Sequence, residues 1–389
     1  MGFLRMISTL LLIYPILAYA QDDKEYEYER SSLHTMMIKH LNQKFEDVIE
    51  NIYLKTPFPE RFNEHNLGVR IVAFAESADN QQKNIESFIT QVNLGQKMVS
   101  KWFNRDKTTG SFNMELVKER GYYNASQAQQ NIARNQIRGR AMLEDAGEEL
   151  IKNTYLIIND ISYTSKAGTT SLLKSFASVY TGNVKGIQRH LNEIGGFRVE
   201  VTSYLFRLKW NSEIADHFYM KYYTENGVTE QDKVRAFKDE KDLFQMEFVG
   251  KTNCKSSETK FSGVNDPDKL LIKVCTRALD QNIAQLQHSF AEFRIKAPLI
   301  STEPLKAYVG MKEDINMDSR FEVLERIIDQ EGKLSYQRIG IIKPKQGQIW
   351  DNRFMASEEG TESANLKATE FTLVSGENFY PGMLIREIK

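Results

Sequence analysis

From Lys296 onward the chain is divided into short apolar segments by glycine, and that punctuation limits the possible folds more than any other feature. Arg320 to Glu325, Tyr336 to Ile342, Gln348 to Trp350, Phe371 to Val374 and Met383 to Ile388 read as strands. Gly310, Gly332, Gly347, Gly376 and Gly382 supply the turns between them. Short strands at this glycine density predict a small β-barrel, closed or nearly so. Pro298 and Pro304 lie in a linker-like stretch, KAPLISTEP, which places the barrel over 298–389.

Upstream, the period is helical and mixed. Asp266-Pro267-Asp268 is a helix start, and Ile272, Cys275, Leu279, Ile283, Leu286, Phe290 and Phe293 follow at three- and four-residue steps. This helix, over 268–293, is expected to lie across a sheet made by the preceding strands in a middle α+β domain over 196–297. Residues 197–210 alternate, with a parity slip at Thr202-Ser203 that predicts a bulge or two short strands. Phe244, Met246 and Phe248 alternate again. An α/β layer domain is expected over 31–195. Its elements are a helix from Ser31 to about Tyr53, striped by Leu33, Met36, Met37 and His40, and a buried strand over Leu67 to Phe74. A helix capped by Asp79 carries Ile85, Phe88, Ile89, Val92, Val99, Trp102 and Phe103, with a break near Gly95. A turn at Asp106 to Gly110, a long helix over Ser126 to Ile151 and a strand over Thr154 to Tyr163 complete it. The expected fold class is therefore α+β in two or three domains.

The first twenty residues carry Arg5, an apolar run from Met6 to Leu17 and Ala18-Tyr19-Ala20, which is the plan of a secretory signal peptide. The apolar run is shorter than the roughly 20 residues a membrane span needs. Residues 21–30 read as a loose acidic leader. Export is expected, to the periplasm or outer-membrane periphery of a Gram-negative bacterium. Lys plus Arg, 51, balance Asp plus Glu, 52, so no global field favours nucleic acid. Residues 164–195 contain a short amphipathic stretch, Leu172 to Tyr180, that suits packing in its own domain or a peripheral membrane contact.

In an oxidising compartment Cys254 and Cys275 are a candidate disulfide, and closing roughly 20 residues would stabilise by about 3 kcal/mol. The alternative is two buried thiols, since Cys275 falls on the helix's apolar stripe. Six histidines are scattered without ligand spacing, so no metal site and no cofactor are expected. There is no HExxH, P-loop, GxSxG or GxGxxG motif. Ser171 with Lys174, and Ser257 with Lys260, fit SxxK without its companion motifs. Glu144 and Glu148 lie one helical turn apart and read as a solvated face. Trp350, with Arg353 and Phe354 beside it, is a candidate partner contact, because Trp is enriched at interaction hot spots.

The order Ala307-Tyr308-Val309-Gly310, Arg320-Phe321-Glu322-Val323, Ile339 to Pro344 and Tyr380-Pro381-Gly382-Met383-Leu384-Ile385 resembles the C-terminal barrel of flagellar assembly protein T. That resemblance implies a barrel used for contacts and not for chemistry. Gly147 to Ile151 leading into Thr154 to Ile158 resembles the helix-to-strand step of CsgG-like curli-secretion lipoproteins and of TolB N-terminal α/β domains. No lipidated Cys accompanies it, which departs from the curli-type anchor. The whole chain is similar to a group of exported proteins of Bacteroidota, through Lys101 to Asp106 and Ile349 to Phe354. The similarity implies compartment and no activity. The functional expectation is a non-catalytic exported envelope protein that binds a protein or envelope component. The alternatives are an outer-membrane secretion or pore accessory component of curli-secretion type and an envelope-polymer hydrolase.

Overall fold

The apolar run that follows Ser31 is a strand and not the start of a helix. In the computed structural model, Ser32–Lys39 forms β1, with all but its last residue buried. Leu33 and Met37 pack on one face of the sheet, Met36 and Ile38 on the other. A strand covered on both faces loses its alternation. Leu33, Met36, Met37 and His40 then mimic helical spacing, so the expected helix over Ser31 to Tyr53 shrinks to α1, Glu46–Lys55. The structure describes residues 31–40, 46–74, 80–124, 150–165, 197–224, 230–258, 267–294, 296–328 and 334–388. The signal-like segment, the leader, nearly all of the expected helix over Ser126 to Ile151 and residues 166–195 lie outside them.

Two short parallel strands follow, β2 (Asn63–Glu64) and β3 (Ile71–Ala73), and both pair with β1. The second occupies only the end of the expected Leu67 to Phe74 strand. Helix α2 (Gln81–Gln91) is capped from Asn80 and is separated from α3 (Leu94–Trp102) at Asn93, which takes a left-handed conformation. Asp106 accepts from the backbone N–H of Thr108 and Thr109, forming the expected turn. Helix α4 is Glu115–Asn124.

Strands β4 (Thr154–Ser165), β5 (Phe197–Leu208) and β6 (Met246–Glu258) complete a mixed sheet in the order β2-β1-β4-β5-β6, with α5 (Ser212–Lys221) and α6 (Gln231–Asp239) between β5 and β6. Strand β4 runs parallel to β1 and pairs with β5 antiparallel without a register break, so the spans expected as two domains contribute to one sheet. The slip at Thr202-Ser203 has a different cause from a bulge in β5. Val199 and Val201 are buried on one face while Tyr204, Phe206 and Leu208 are buried on the other. The irregularity lies opposite Leu205 and Phe206 in β6, beside Gly250.

One face of the sheet is covered by α2 to α6, with an aromatic cluster around Phe103, Phe112, Phe218, Phe237 and Phe244. The other is covered by α1 and by α7, Pro267–Ser289, the expected long helix. Its Asn282 is fully buried and donates to Val201 O and Ser203 Oγ. Ser203 in turn donates to Asn159 Oδ1, so a satisfied polar chain sets the helix register on the sheet. Gly250 lets Phe290 lie against β6, for a Cβ there would fall 2.0 Å from Phe290 Cζ.

The tail is a closed six-stranded antiparallel barrel, β10-β11-β8-β7-β12-β9. Its strands are β7 (Ala297–Thr302), β8 (Leu305–Ala307), β9 (Arg320–Ile328), β10 (Leu334–Pro344), β11 (Thr369–Gly376) and β12 (Leu384–Ile388). KAPLISTEP is thus barrel strand β7 and its turn, not a linker. Gln348 to Trp350 contributes a single bridge, Gly310 to Trp350, and no strand.

Candidate functional site

Helix α7 presents two stripes. Val274, Cys275, Ala278, Leu279 and Leu286 pack on the sheet, and Lys273, Arg277, Asp280, Gln287 and His288 face the barrel. The barrel docks on this polar stripe. Lys273, fully buried, lies 3.0 Å from Glu359 Oε1, and Arg277 donates to the same oxygen at 2.7 Å and to Phe354 O. Lys312 Nζ stands 3.8 Å from Asp280. Arg61, from the sheet layer, donates to Glu313 Oε1, whose other oxygen accepts from Gly310 N and Asn352 Nδ2. The first of these contacts hold the loop between β10 and β11, and the others hold the loop between β8 and β9.

That loop, the end of α7 and strands β9 and β12 enclose a cleft of about 320 Å³. Val309, Ile315, Phe321 and Ile385 give it an apolar floor, and all four are buried. Its rim is charged. His288 Nε2 lies 2.8 Å from Glu387 Oε2, and Nδ1 lies 3.9 Å from Asp314 Oδ2. The Glu387 carboxylate raises the His288 pKa against the opposing effect of burial, so the imidazolium is favoured. Arg294 donates to Gln287 O and His288 O, closing the end of α7, and Arg320 donates to the carbonyls of Met317, Asp318 and Ser319. A concave apolar surface with a few converging polar groups, where two layers meet, is the usual form of a binding site.

The three residues expected as a partner contact are built into the same junction. Trp350 packs edge-on with Tyr308, its backbone N–H donates to Thr369 Oγ1 and its backbone carbonyl accepts from Met311 N. Arg353 pairs bidentately with buried Asp351 and reaches Glu359 Oε2 at 3.5 Å, while Phe354 supplies the carbonyl that Arg277 uses. None of the three lines the cleft. The disulfide expectation is corrected. Cys254 on β6 and Cys275 on α7 are both free and buried. Burial pushes the Cys254 thiol up to about 11, which leaves almost no thiolate for exchange.

A second polar cluster ties β1 and β2 to α4. Arg120 donates to Ser32 Oγ, His65 Nδ1 and Glu64 O and lies over the Trp102 ring, whose Nε1 donates to Thr154 Oγ1. His65 must therefore carry its proton on Nε2, which donates to Met98 O. Burial holds both His65 and His34 below the ordinary histidine range, His34 at about 4. Among the described residues no group of three or more His, Cys, Asp or Glu side chains is placed to hold a metal ion. No described helix is long and apolar enough to cross a membrane. The Ser171–Lys174 and Glu144–Glu148 pairs lie outside the described residues, as does Lys260.

Compared with known proteins, the chain matches no family model and no curated sequence. The polar stripe of α7 is masked in the sequence by the stronger apolar period that runs alongside it. Lys273, Arg277 and Asp280 follow at four- and three-residue steps, with Gln287 and His288 two turns further on, and that second period was the available signal.

Proposed function

We propose that this chain is a non-catalytic, exported envelope protein that works by binding, and that the cleft between α7 and the barrel is where it binds. The observation that carries this reading is the cleft itself, an apolar floor ringed by oriented charges at a junction held by ion pairs. The signal-like first twenty residues support export to the periplasm or outer-membrane periphery. The likeness of the tail to the contact barrel of flagellar assembly protein T, and of the Gly147 to Ile158 step to CsgG-like and TolB N-terminal domains, belongs to the same proposal. The partner is an envelope protein or wall component.

Fractionation with N-terminal sequencing tests the compartment. A photo-crosslinker at Met317, which is 42% exposed beside the cleft, tests the surface. Its adducts are expected in envelope extracts and should vanish with Asn316→Trp, which fills the cleft. The same crosslinker at Met220, 78% exposed on α5, serves as the control. Native protein that begins at Met1 in the cytosol, or Met317 adducts indifferent to Asn316→Trp, refutes the reading.

A further inference from the structure

Most of the charges around the cleft already have partners. Glu313, Asp314, Asp318 and Glu387 line it together with His288, Arg294 and Arg320. Glu313 is closed by Arg61, Gly310 and Asn352. His288 lies between Glu387, at 2.8 Å, and Asp314, at 3.9 Å, so those three groups answer one another. Arg294 turns Nε and Nη2, one two-pronged edge of its guanidinium, onto Gln287 O and His288 O, and its charge meets the negative end of the α7 dipole. With Arg61 counted, the acids and bases named here balance, so no net field selects a ligand. The choice falls to the groups still unengaged. Arg320 is one of them. All three of its hydrogen bonds, to the carbonyls of Met317, Asp318 and Ser319, leave from Nη1. Its Nε and Nη2 have no partner among the described residues, and neither is sealed from solvent. Asp318 also makes no ion pair among those residues, but it is exposed, and a hydrated carboxylate needs no protein partner.

We infer that the cleft receives the C-terminal carboxylate of a partner protein whose last side chain is apolar, with Arg320 gripping the carboxylate. The inference rests on the binding role proposed above and names the part of the partner that enters. The edge formed by Nε–H and Nη2–H is spaced to meet both oxygens of one carboxylate. A neutral amide or a cation would leave it without a matching acceptor. The three carbonyls on Nη1 fix the guanidinium before a ligand arrives, so little side-chain freedom is lost on binding. Phe321, next in the chain, lies with Val309, Ile315 and Ile385 in the apolar floor. A chain end carries its carboxylate and its last side chain on the same carbon, which is the pairing that a guanidinium beside an apolar floor can read. A side-chain carboxylate brings no apolar group with it. Asp318, two residues before Arg320, opposes any anion, and at an exposed position solvent screens that effect. A volume of about 320 Å³ stands at the small end of ligand sites, enough for a chain end and not for a folded surface.

The test is panning the purified protein against eight-residue peptides displayed with free C-termini, then measuring the selected peptide by fluorescence polarisation as the free acid and as the C-terminal amide. Selected peptides should end in an aliphatic residue or phenylalanine. The acid should bind about tenfold more tightly than the amide, because the amide loses a charge-assisted pair of hydrogen bonds. Arg320→Gln should weaken the acid about tenfold and leave the amide unchanged. Since Arg320 also ties its own turn, Asp318→Asn supplies a variant whose side chain holds nothing in place. It should strengthen the acid about twofold and leave the amide as it was. N-acetyl-leucine, a free carboxylate on a similar apolar body, should compete at least about tenfold more weakly than the peptide. Competition as tight as the peptide's assigns the cleft to a small acid and overturns the chain-end reading. Equal binding of acid and amide, weaker binding of the acid to Asp318→Asn, polar last residues or no enrichment over the starting library each overturn the inference as well. The binding role is judged separately by the Met317 adducts, which need no assumption about the ligand.

Discussion

Asp280 gives the junction a pH dependence that can be isolated by one substitution. Its side chain is 11% exposed on the barrel-facing stripe of α7, and its Oδ2 is buried without a hydrogen-bond partner. Burial raises its pKa from 3.8 to about 7; Lys312 opposes the rise, and Glu313 and Glu60 add to it. Between those two values the folded chain keeps a proton that the unfolded chain has released. The contribution to stability is therefore fully present below about pH 4, declines as pH rises, and is gone above about pH 7. About three units at roughly 1.4 kcal/mol each make about 4 kcal/mol. Asp280→Asn is neutral at every pH. It should match the parent near pH 4 and exceed it by about 4 kcal/mol near pH 8. The parent's own curve does not reveal this, because His34 acts oppositely. Its pKa falls from 6.5 to about 4 on burial, so between those values the unfolded chain binds the extra proton and acid destabilises the fold. The difference between parent and variant removes that contribution. Urea unfolding at about pH 4, 6 and 8 measures it. A difference that is the same at all three values refutes the reasoning.

Glu359→Gln leaves Lys273, with no solvent exposure, and Arg277 without their shared carboxylate. A loss of about 3–5 kcal/mol is expected, read by urea unfolding and by faster trypsin cleavage around 290–300. Gly250→Ala drives a methyl into the Phe290 ring and should cost about 1–3 kcal/mol, with Phe290→Ala in the same chain recovering part of it in a double-mutant cycle. Native protein should resist a thiol reagent, react at both Cys254 and Cys275 once unfolded, and melt at the same temperature with or without reductant; a mass two hydrogens short would show a cystine and contradict this.

Elements with one buried face were legible in the sequence. Helix α7 follows from its apolar period and its Asp-Pro start, and the barrel from glycine punctuation, because each such residue does locally what the tertiary structure also requires. Elements buried on both faces were not. Strand β1 imitates a helix, and β5 imitates a bulge, since the side chains that fill two cores carry no single period. KAPLISTEP was misread for another reason. Pro298 lies opposite Leu384 in a non-hydrogen-bonded position, where the missing N–H costs the ladder nothing. The candidate disulfide fails because closeness along the chain says nothing about geometry, with one thiol on a strand and the other on a helix.

The cleft could not be read at all from local pattern, because its lining comes from the end of α7, the loop between β8 and β9, and the strands β9 and β12, which lie far apart in sequence. Chain leaving α7 must turn back and enter the barrel between Ser289 and Ala297, and Arg294 bonds the helix's last free carbonyls within that span. So short a connection keeps the barrel against the polar stripe and makes β7 begin at Ala297. Strand β12 continues beyond that point because β9 pairs with it as far as Arg320. The apolar floor and the charged rim thus meet through one connection. Lengthening it between Arg294 and Ala297 by a few glycines should loosen the junction and the binding surface together, while the sheet and barrel cores, which share none of these residues except Ala297, keep their packing.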